Sequence, residues 1–385
     1  MGRKPSTLHW DKPLLLFIRM VTAILIAASP ALATDAGFES VTGPCHLRFP
    51  ADHGPHPQYR TEWWYYTGNL VGEDNRQYGF QLTFFRSGLQ PPDKRDKWPD
   101  PSSAWRTDQV YLAHAAVSDI EGGRHFQADQ MARPVLSMAG ARVEEKAVTV
   151  WVHSWETRIA PDKHKLHVDA SEFGFTFDLI PAKPPVLHGD GGYSRKGQSP
   201  ERASCYYSFT RLQATGSLTV EGTRQTVQGS AWMDHEFSTA PLQPGVTGWD
   251  WFSLQLSDET EIMFFQLRQA DGEINPASNG TWVQASGSGS PLRNEEVQIE
   301  VLDRWTSPHT GARYPVKWRL QVPSLEVNLT LTANLKDQEM RTARSTQVVY
   351  WEGSVQVVGA RQNKSIEGVG YVELTGYAKP FDAPM

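Results

Sequence analysis

The chain has 385 residues and a formal net charge of −6, and hydrophobic and charged residues make up 39% and 21% of it. This composition excludes a disordered or membrane-embedded protein, and the length suits two domains better than one. An acidic chain without a basic block binds nucleic acid poorly, so we expect no nucleic-acid partner. The 14 Trp, 12 Tyr and 16 Phe, beside 31 Gly and 26 Pro, favour strands joined by turns.

The N-terminus has the pattern of a secretory signal peptide. Basic side chains precede the apolar stretch Met20–Pro30, and Ala31-Leu32-Ala33 matches the small-residue cleavage pattern. We therefore predict cleavage after Ala33 and a periplasmic or secreted protein. The alternative is an uncleaved anchor helix, although the apolar run is short for a membrane span. Removal of residues 1–33, with four basic side chains and one acidic side chain, would change the net charge from −6 to −9.

Alternating apolar and polar residues predict strands along nearly the whole mature chain. Many short strands with regular turns indicate a β-sandwich or a barrel. Two long loops, Gln90–Ser103 and Pro181–Ser204, interrupt the pattern, and such loops are usually functional or mobile. The strands are predicted at Glu62–Asn69, Tyr78–Arg86, Val110–Ser118, Ala147–Trp155, Phe173–Ile180, Tyr206–Arg211, Gly216–Val220, Gly229–Phe237, Trp249–Ser257, Glu261–Leu267, Val297–Leu302, Val316–Val322, Leu325–Ala333, Ser354–Val358 and Gly368–Leu374.

A weak internal repeat divides the mature chain. Trp63–Thr67, a turn and Phe80–Arg86 form an aromatic hairpin that ends in Arg, and Trp249–Ser253, a turn and Ile262–Arg268 follow the same plan. These are either two ordinary hairpins or one element of duplicated barrels, and the chain length favours duplication. We therefore predict an all-β protein with a boundary near Gln213–Gly222. The predicted segments are a signal peptide at 1–33 and two domains at 34–214 and 215–385.

Two cysteines, Cys45 and Cys205, remain after the predicted cleavage. In an oxidising compartment they could pair and tie the mature N-terminus to the middle of the chain. The sequence leaves both a disulfide and two free thiols open.

In the second half, alternation places a His and an Asp on apolar strand faces. His235 shares a face with Phe237, and Asp250 shares one with Phe252. Burial without a partner is costly for either group, and pairing them would satisfy both. We predict that they form an acid/base couple in an apolar pocket; a purely structural ion pair is the alternative.

In the first half, Glu62 begins an aromatic strand and is a candidate second acid at a barrel rim. An ion pair between Glu62 and Arg86 is its structural alternative, and the neighbouring aromatic side chains are either a ligand-binding wall or plain core. Glu236 is a further candidate for catalysis. The candidate ligand-binding residues are Trp63, Trp64, Tyr65, Arg86, His114, Asp234, Trp249 and Trp251.

Motifs for other chemistries are absent from the sequence. It contains no nucleophile elbow, zinc-protease motif, phosphate-binding loop or dinucleotide fingerprint. Alternation separates His235 from the acids Asp234 and Glu236, which argues against a metal site there. We expect neither a metal nor a cofactor.

Five segments together resemble the AttH/CrtC lipocalin-like family. They are His56-Pro57, Thr61–Gly68, Tyr206–Leu212, Ala231–Phe237 and Gly248–Phe252. That family includes secreted bacterial proteins described as hydrolases and carotenoid 1,2-hydratases, with fungal Diels–Alder cyclases as distant relatives. The resemblance implies two consecutive lipocalin-like antiparallel β-barrels with ligand space in or between them. For the hydratases, it also implies cofactor-free addition of water to an isoprenoid double bond.

Two positions depart from the hydratases of that family. His235 matches the hydratase His, but Phe237 stands where those enzymes have Trp, and Gln266 stands where an acid is expected. A Gln cannot protonate an alkene. The departure argues against carotenoid hydration itself, unless Asp250 or Glu236 substitutes for the missing acid.

The sequence therefore predicts an exported protein that binds a long apolar molecule such as an isoprenoid, a lipid or a polyketide. As an enzyme it would be a cofactor-independent hydratase or isomerase, with cyclisation as a related reaction. The alternative is a non-catalytic periplasmic lipid carrier that works with a membrane export complex. A surface adhesin, which would lack an enclosed cavity, is a third hypothesis. A monomer is favoured.

Overall fold

The structure is a computed structural model that describes residues 1–2, 37–95, 97–99, 103–239 and 242–381. Residues from Gly37 onward belong to one compact unit. The predicted signal peptide, 1–33, lies outside the described residues except for its first two. None of the helices in the described part of the chain is long and apolar enough to cross a membrane.

The described residues are almost entirely β-strand, which confirms the predicted all-β class. The helical segments are the α-helix Pro92–Arg95 and the 3-10 turns Ala51–His53, Asn294–Glu296 and Pro323–Leu325. The strands are β1 (Thr61–Gly72), β2 (Gln77–Gly88), β3 (Gln109–Asp119), β4 (Arg124–Ala132), β5 (Ala139–Val143), β6 (Val148–Val152), β7 (Trp155–Ile159), β8 (His164–Asp169), β9 (Phe173–Pro181), β10 (Val186–Leu187), β11 (Tyr193–Arg195), β12 (Ala203–Val220), β13 (Thr223–Ser238), β14 (Val246–Leu256), β15 (Glu261–Gln269), β16 (Asn279–Val283), β17 (Gly289–Arg293), β18 (Gln298–Thr306), β19 (Arg313–Val322), β20 (Val327–Ala333), β21 (Glu339–Arg341), β22 (Val349–Arg361) and β23 (Lys364–Leu374).

The strands form two antiparallel sheets. The first has the order β4-β3-β2-β1-β13-β12-β9-β8-β7-β6-β5, and β10 and β11 pair with β12. The second has the order β17-β16-β15-β14-β23-β22-β20-β19-β18, and β21 pairs with β22. In the first sheet β3 and β4 also contact β6, so the sheet curls back on itself toward a barrel.

The two aromatic hairpins hold equivalent places in the two sheets. β1 pairs with β2 on one side and with β13, the last strand of its sheet, on the other. β14 likewise pairs with β15 and with β23, the last strand of the second sheet. The predicted repeat therefore corresponds to a repeated topology.

The change of sheet comes later in the chain than the predicted domain boundary. Residues 213–222 lie in β12 and at its turn into β13, a long hairpin that belongs wholly to the first sheet. The chain passes to the second sheet between Ser238 and Val246. The predicted boundary between 214 and 215 therefore does not coincide with the change of sheet, because these residues lie within the β12–β13 hairpin.

Each sheet encloses its own apolar core, and a third cluster lies between the sheets. Trp64 and Tyr66 belong to the first core, and Trp318 and Trp351 belong to the second. The third cluster consists of outward-facing side chains of both sheets, namely Tyr65, Tyr206, Trp232, Val246, Trp251, Met263, Phe265, Leu267 and Tyr371. A disulfide between Cys45 and Cys205 ties the segment before β1 to β12.

Candidate active site

A cavity of about 90 Å³ lies between the two sheets, against the third apolar cluster. It has room for several water-sized groups. Aromatic side chains form most of its wall, and one lysine and four carboxyl groups interrupt them. Its lining residues are Trp63, Tyr65, Thr83, Phe85, Lys196, Tyr206, Asp234, Glu236, Leu242, Trp249, Trp251, Phe265, Leu267, Tyr350, Glu352 and Glu373.

Strand alternation explains how these side chains reach the cavity. On β1, Trp63 and Tyr65 face it, whereas Trp64 between them faces the first core. On β13, Asp234 and Glu236 face the cavity, and the residue between them points into the barrel. The first sheet thus presents its core on one face and the cavity wall on the other.

Asp234 is fully buried and accepts three hydrogen bonds. The Tyr206 hydroxyl donates to Oδ2 at 2.7 Å, the Trp232 indole donates to Oδ1 at 2.6 Å, and the Ser208 hydroxyl also donates to Oδ1. Burial raises the pKa of Asp234 to about 7, against these three hydrogen bonds, and the charge of Glu236 adds to the rise. Near neutral pH this carboxyl group can therefore both give and accept a proton.

Lys196 is the one lysine on the cavity wall. Its Nζ lies 3.1 Å from Glu236 Oε1, donates to Ser194 Oγ at 2.9 Å and sits 3.9 Å from the ring centre of Phe265. Burial lowers the pKa of Lys196, and Glu236 opposes that change. The pair holds a charged group in place beside the aromatic wall.

Glu352 and Glu373 come from neighbouring strands of the second sheet. Glu373 Oε2 accepts a hydrogen bond from the Trp249 indole at 2.8 Å, and burial raises the pKa of Glu373 to about 7. No hydrogen bond of ordinary geometry reaches either carboxyl oxygen of Glu352 from the described residues. Burial, together with the charge of Glu373, raises the pKa of Glu352 well above its ordinary value, although the nearby hydroxyl groups of Tyr65 and Tyr350 oppose the rise. Burial therefore favours the protonated form of Glu352.

The cavity combines the features that cofactor-free acid/base chemistry needs. A buried neutral acid can protonate a substrate, and a second carboxyl group with a pKa near 7 can take a proton from water. The faces of Tyr65 and Trp251, whose ring centres lie 5.1 Å apart, can stabilise a developing positive charge. The Tyr65 hydroxyl makes no hydrogen bond of ordinary geometry among the described residues and lies near Glu352 on the same cavity.

The predicted couple of His235 and Asp250 is wrong. The two residues were expected on neighbouring strands, but β13 and β14 belong to different sheets and do not pair. His235 points into the first barrel, where its Nε2 lies 2.9 Å from Glu62 Oε1 and its Nδ1 lies 3.0 Å from the Tyr207 hydroxyl. The apolar face of each residue was predicted correctly, but the two faces belong to different barrels.

Asp250 points into the second barrel. Arg268 donates to its Oδ1 at 2.8 Å, and the Tyr377 hydroxyl donates to its Oδ2 at 3.0 Å. Burial raises the pKa of Asp250, and Arg268 opposes that rise. Asp250 does not line the cavity, so it serves as one half of a structural ion pair.

Glu62 is also buried inside the first barrel and not at a cavity rim. Its Oε2 pairs with Arg86 Nε at 2.8 Å, which is the structural alternative foreseen from the sequence. Its Oε1 lies 2.7 Å from His56 Nδ1 and 2.9 Å from His235 Nε2. Arg86 lowers the pKa of Glu62 together with these two histidines, although burial opposes them.

His56, Glu62 and His235 are the described residues that could hold a metal ion. The fit is poor, because Glu62 already faces the Arg86 guanidinium. The carboxylates of Asp52 and Glu62 also raise the pKa of His56 to about 9, against burial, so a cation would have to displace a proton. The charges of this group balance without a metal.

The remaining predicted residues divide into two groups. The structure places Trp63, Tyr65, Asp234, Glu236, Trp249 and Trp251 on the cavity wall. Trp64 stacks on His235 inside the first barrel, Arg86 pairs with Glu62, and His114 lies behind the wall next to Tyr350. These three do not line the cavity.

Sequence reasoning missed the acids of the second sheet. Glu352 lies just before a predicted strand and Glu373 lies near the end of another, each as a lone acid in an apolar run. That isolation was a usable signal, because an acid buried among apolar residues is costly unless it has a role. Lys196 and Tyr350 had no comparable signal.

The fold and the cavity define a class: an all-β protein of two barrel-like antiparallel sheets, with an acid-lined aromatic cavity between them. A sequence model of the AttH-like family matches residues 40–377. The chain therefore belongs to the AttH-like family, as the motifs indicated. No curated protein matches the sequence.

Solved structures agree with this assignment. The crystal structure of an AttH from Nitrosomonas europaea is 34% identical, with a TM-score of 0.77 over 88% of this chain and all of the other. Kievitone hydratase from Nectria haematococca is 15% identical, with a TM-score of 0.66 over 89% of this chain and 98% of that one. CghA in complex with Sch210972 is 15% identical, with a TM-score of 0.54 over 89% and 96%. The last two likenesses show the shared lipocalin-like fold.

Proposed function

We propose that this chain is an exported protein that binds an apolar, unsaturated molecule in the cavity and catalyses its cofactor-free hydration or cyclisation. The observation that carries the proposal is an aromatic cavity that buries Glu352, whose protonated form burial favours, beside two carboxyl groups with pKa values near 7. A hydratase of the same fold, kievitone hydratase, supports the choice of reaction. The leader pattern at residues 1–33 and the disulfide support export.

For hydration, the steps are assigned to two walls of the cavity. Glu352 transfers its proton to one carbon of a double bond, whose π electrons form the new C–H bond. The resulting cationic carbon lies against the faces of Tyr65 and Trp251. The oxygen of a water molecule bonds to that carbon, and the Asp234 carboxylate takes the released proton. For cyclisation, a carbon nucleophile of the substrate replaces water.

Ligand binding can be tested with the neutral apolar dye N-phenyl-1-naphthylamine, which does not depend on the natural substrate. We expect dye fluorescence to rise on binding, and Trp251→Ala to weaken binding by about tenfold or more, because a central aromatic anchor is worth about 2 kcal/mol. The matched control is Trp105→Ala, since Trp105 is exposed and outside the cavity. Equal weakening in both variants, or in neither, would contradict a ligand site here.

Catalysis can be tested on the molecule that co-purifies with the exported protein, identified by native mass spectrometry. Incubation in oxygen-labelled water should add one labelled water to that molecule for hydration, or change its structure at constant mass for cyclisation. Glu352→Gln should abolish the change, whereas Glu367→Gln, an exposed substitution on β23, should not. A molecule returned unchanged by the wild-type protein would favour the carrier that hands lipid to an export complex.

A further inference from the structure

A continuous row of polar side chains runs from the back of the cavity wall to the protein surface. The Tyr350 hydroxyl, on the wall, lies 2.9 Å from His114 Nδ1. His114 Nε2 lies 2.9 Å from Ser345 Oγ, and Ser345 Oγ donates to Asp129 Oδ2 at 2.7 Å. Tyr350 and His114 are buried, whereas Ser345 and Asp129 are half-buried.

The hydrogen bonds of this row have one consistent direction. Ser345 gives its only proton to Asp129, so its oxygen accepts from His114 Nε2. A neutral imidazole with its proton on Nε2 accepts at Nδ1, where the Tyr350 hydroxyl then donates. Burial lowers the pKa of His114 to about 3, which keeps the ring neutral. Every donor therefore points from the cavity toward Asp129.

The row takes its members from both sheets. His114 and Asp129 face each other in register on β3 and β4 of the first sheet. Tyr350 is on β22 of the second sheet, and Ser345 is in the segment that joins β21 to β22. The Arg344 backbone N–H also donates to Asp129 Oδ2 at 2.8 Å, which fixes that segment against β4. The arrangement is thus held at both ends.

The row ends at the cavity with Tyr350, which lies next to the proposed acid, Glu352. Tyr350 and Glu352 are alternate residues of β22 and both line the cavity. The Tyr350 hydroxyl lies close enough to the Glu352 carboxyl group to affect its pKa, although no hydrogen bond of ordinary geometry joins the two groups. Rotation of the Glu352 carboxyl group would let its O–H donate to the Tyr350 oxygen and complete the row.

We propose that Tyr350, His114, Ser345 and Asp129 form a proton relay that equilibrates Glu352 with solvent while a ligand occupies the cavity. This inference rests on the proposed function, in which Glu352 gives its proton to the substrate. Glu352 must then be protonated again before the next reaction. In each transfer Glu352 O–H protonates Tyr350, whose proton passes to His114 Nδ1, while the Nε2 proton passes to Ser345 and the Ser345 proton to Asp129. For inward transfer, Asp129 takes a proton from solvent and the row adopts the opposite orientation, with the hydroxyl groups rotated and His114 protonated on Nδ1. Asp129 then protonates Ser345, the Ser345 proton passes to His114 Nε2, the Nδ1 proton passes to Tyr350, and the Tyr350 proton passes to Glu352. The four residues are positioning residues, since none is required to touch the reacting atoms.

The relay can be tested without any substrate, by infrared spectroscopy in D₂O. The pKa of Glu352 is raised well above its ordinary value, whereas Asp234 and Glu373, with pKa values near 7, are mostly ionised at pH 8. The carboxylic acid band lost in Glu352→Gln therefore belongs to Glu352, and its shift after transfer from H₂O into D₂O measures its proton exchange. Ser345→Ala removes one hydroxyl from the relay, and we expect it to slow this exchange by about tenfold or more.

The matched control is Ser118→Ala, which removes another hydrogen-bonded serine at the contact between the sheets, where it donates to Gln338. It should exchange at the wild-type rate. His114→Gln, as a second relay variant, should be slow like Ser345→Ala. Wild-type exchange in both relay variants would overturn the relay and leave the proposed acid intact. Absence of a band that Glu352→Gln removes would overturn the acid and the relay together.

Discussion

Glu352 and Glu373 face each other in register on β22 and β23, so two carboxyl groups share one apolar wall. Directly opposed like charges destabilise a sheet, and burial penalises each charge further. The wall is therefore most stable when these groups hold protons. This relationship connects the acid of the proposed reaction with the pH dependence of folding.

We expect stability to fall as the pH rises through this range. The pKa of Glu373 is raised from 4.5 to about 7, so the folded state holds its proton more tightly than the unfolded state does. This contribution is complete below pH 4.5, declines as the pH rises and is lost above pH 7, a total of about 3 kcal/mol. Glu373→Gln carries no charge and should show a smaller decline, because Asp234 and Glu352 also have raised pKa values. Urea denaturation at pH 5 and pH 8 measures it, with the exposed Glu367→Gln as control; equal pH dependence in all three proteins would refute the assignment.

Trp249→Phe should raise the pKa of Glu373 further. The Trp249 indole donates a hydrogen bond to Glu373 Oε2 and so favours the ionised form. Phe keeps the apolar volume of the wall but removes the donor. Titration of the Glu373 carboxyl band by infrared spectroscopy should show the midpoint at a higher pH. An unchanged or lower midpoint would mean that this hydrogen bond does not stabilise the carboxylate.

Glu62→Gln should destabilise the fold without affecting the cavity. The substitution leaves Arg86 buried without its carboxylate, which typically costs about 3–5 kcal/mol. Exposed Glu295, which pairs with Arg293, provides the control: Glu295→Gln should cost less than about 1 kcal/mol. Urea denaturation gives both values. Dye binding per folded molecule should stay at the wild-type level. Loss of dye binding would indicate that Glu62 contributes to the ligand site.

Removal of the disulfide should lower stability strongly. Cys45 and Cys205 are 160 residues apart, so the bond closes a long loop in the unfolded chain. Chain entropy predicts a loss of about 5 kcal/mol for such a loop. The double variant Cys45→Ser and Cys205→Ser leaves no thiol that could pair otherwise. Its urea midpoint should match that of the reduced wild-type protein, and a midpoint equal to that of the oxidised protein would argue against the bond.

The sequence predicted which face of a strand each side chain occupies, but it did not predict which strands pair with each other. Alternation placed His235 and Asp250 correctly on apolar faces, and it separated Asp234 and Glu236 from His235. The sequence could not show that β13 and β14 lie in different sheets, because pairing depends on distant segments of the chain. The same limit explains why Glu352, more than a hundred residues after Asp234, was not placed at the same cavity.

The ion pair of Glu62 and Arg86 is the structural alternative that the sequence offered for Glu62. The two residues lie opposite each other on one hairpin. The second hairpin also carries an ion pair, between Asp250 and Arg268. The sequence did not show that Glu62 is buried inside the barrel and not at its rim. That burial depends on contacts of Glu62 with His56 and His235.

The third apolar cluster, with Trp63 and Tyr65 on one sheet and Trp249 and Trp251 on the other, has a consequence for the whole polypeptide. A fragment that contained one barrel alone would expose its aromatic side chains from this cluster to solvent. They would form a hydrophobic patch that promotes aggregation. Neither half would possess the complete cavity by itself. The covalent connection between the halves therefore keeps these rings covered as well as keeping the two walls of the cavity together.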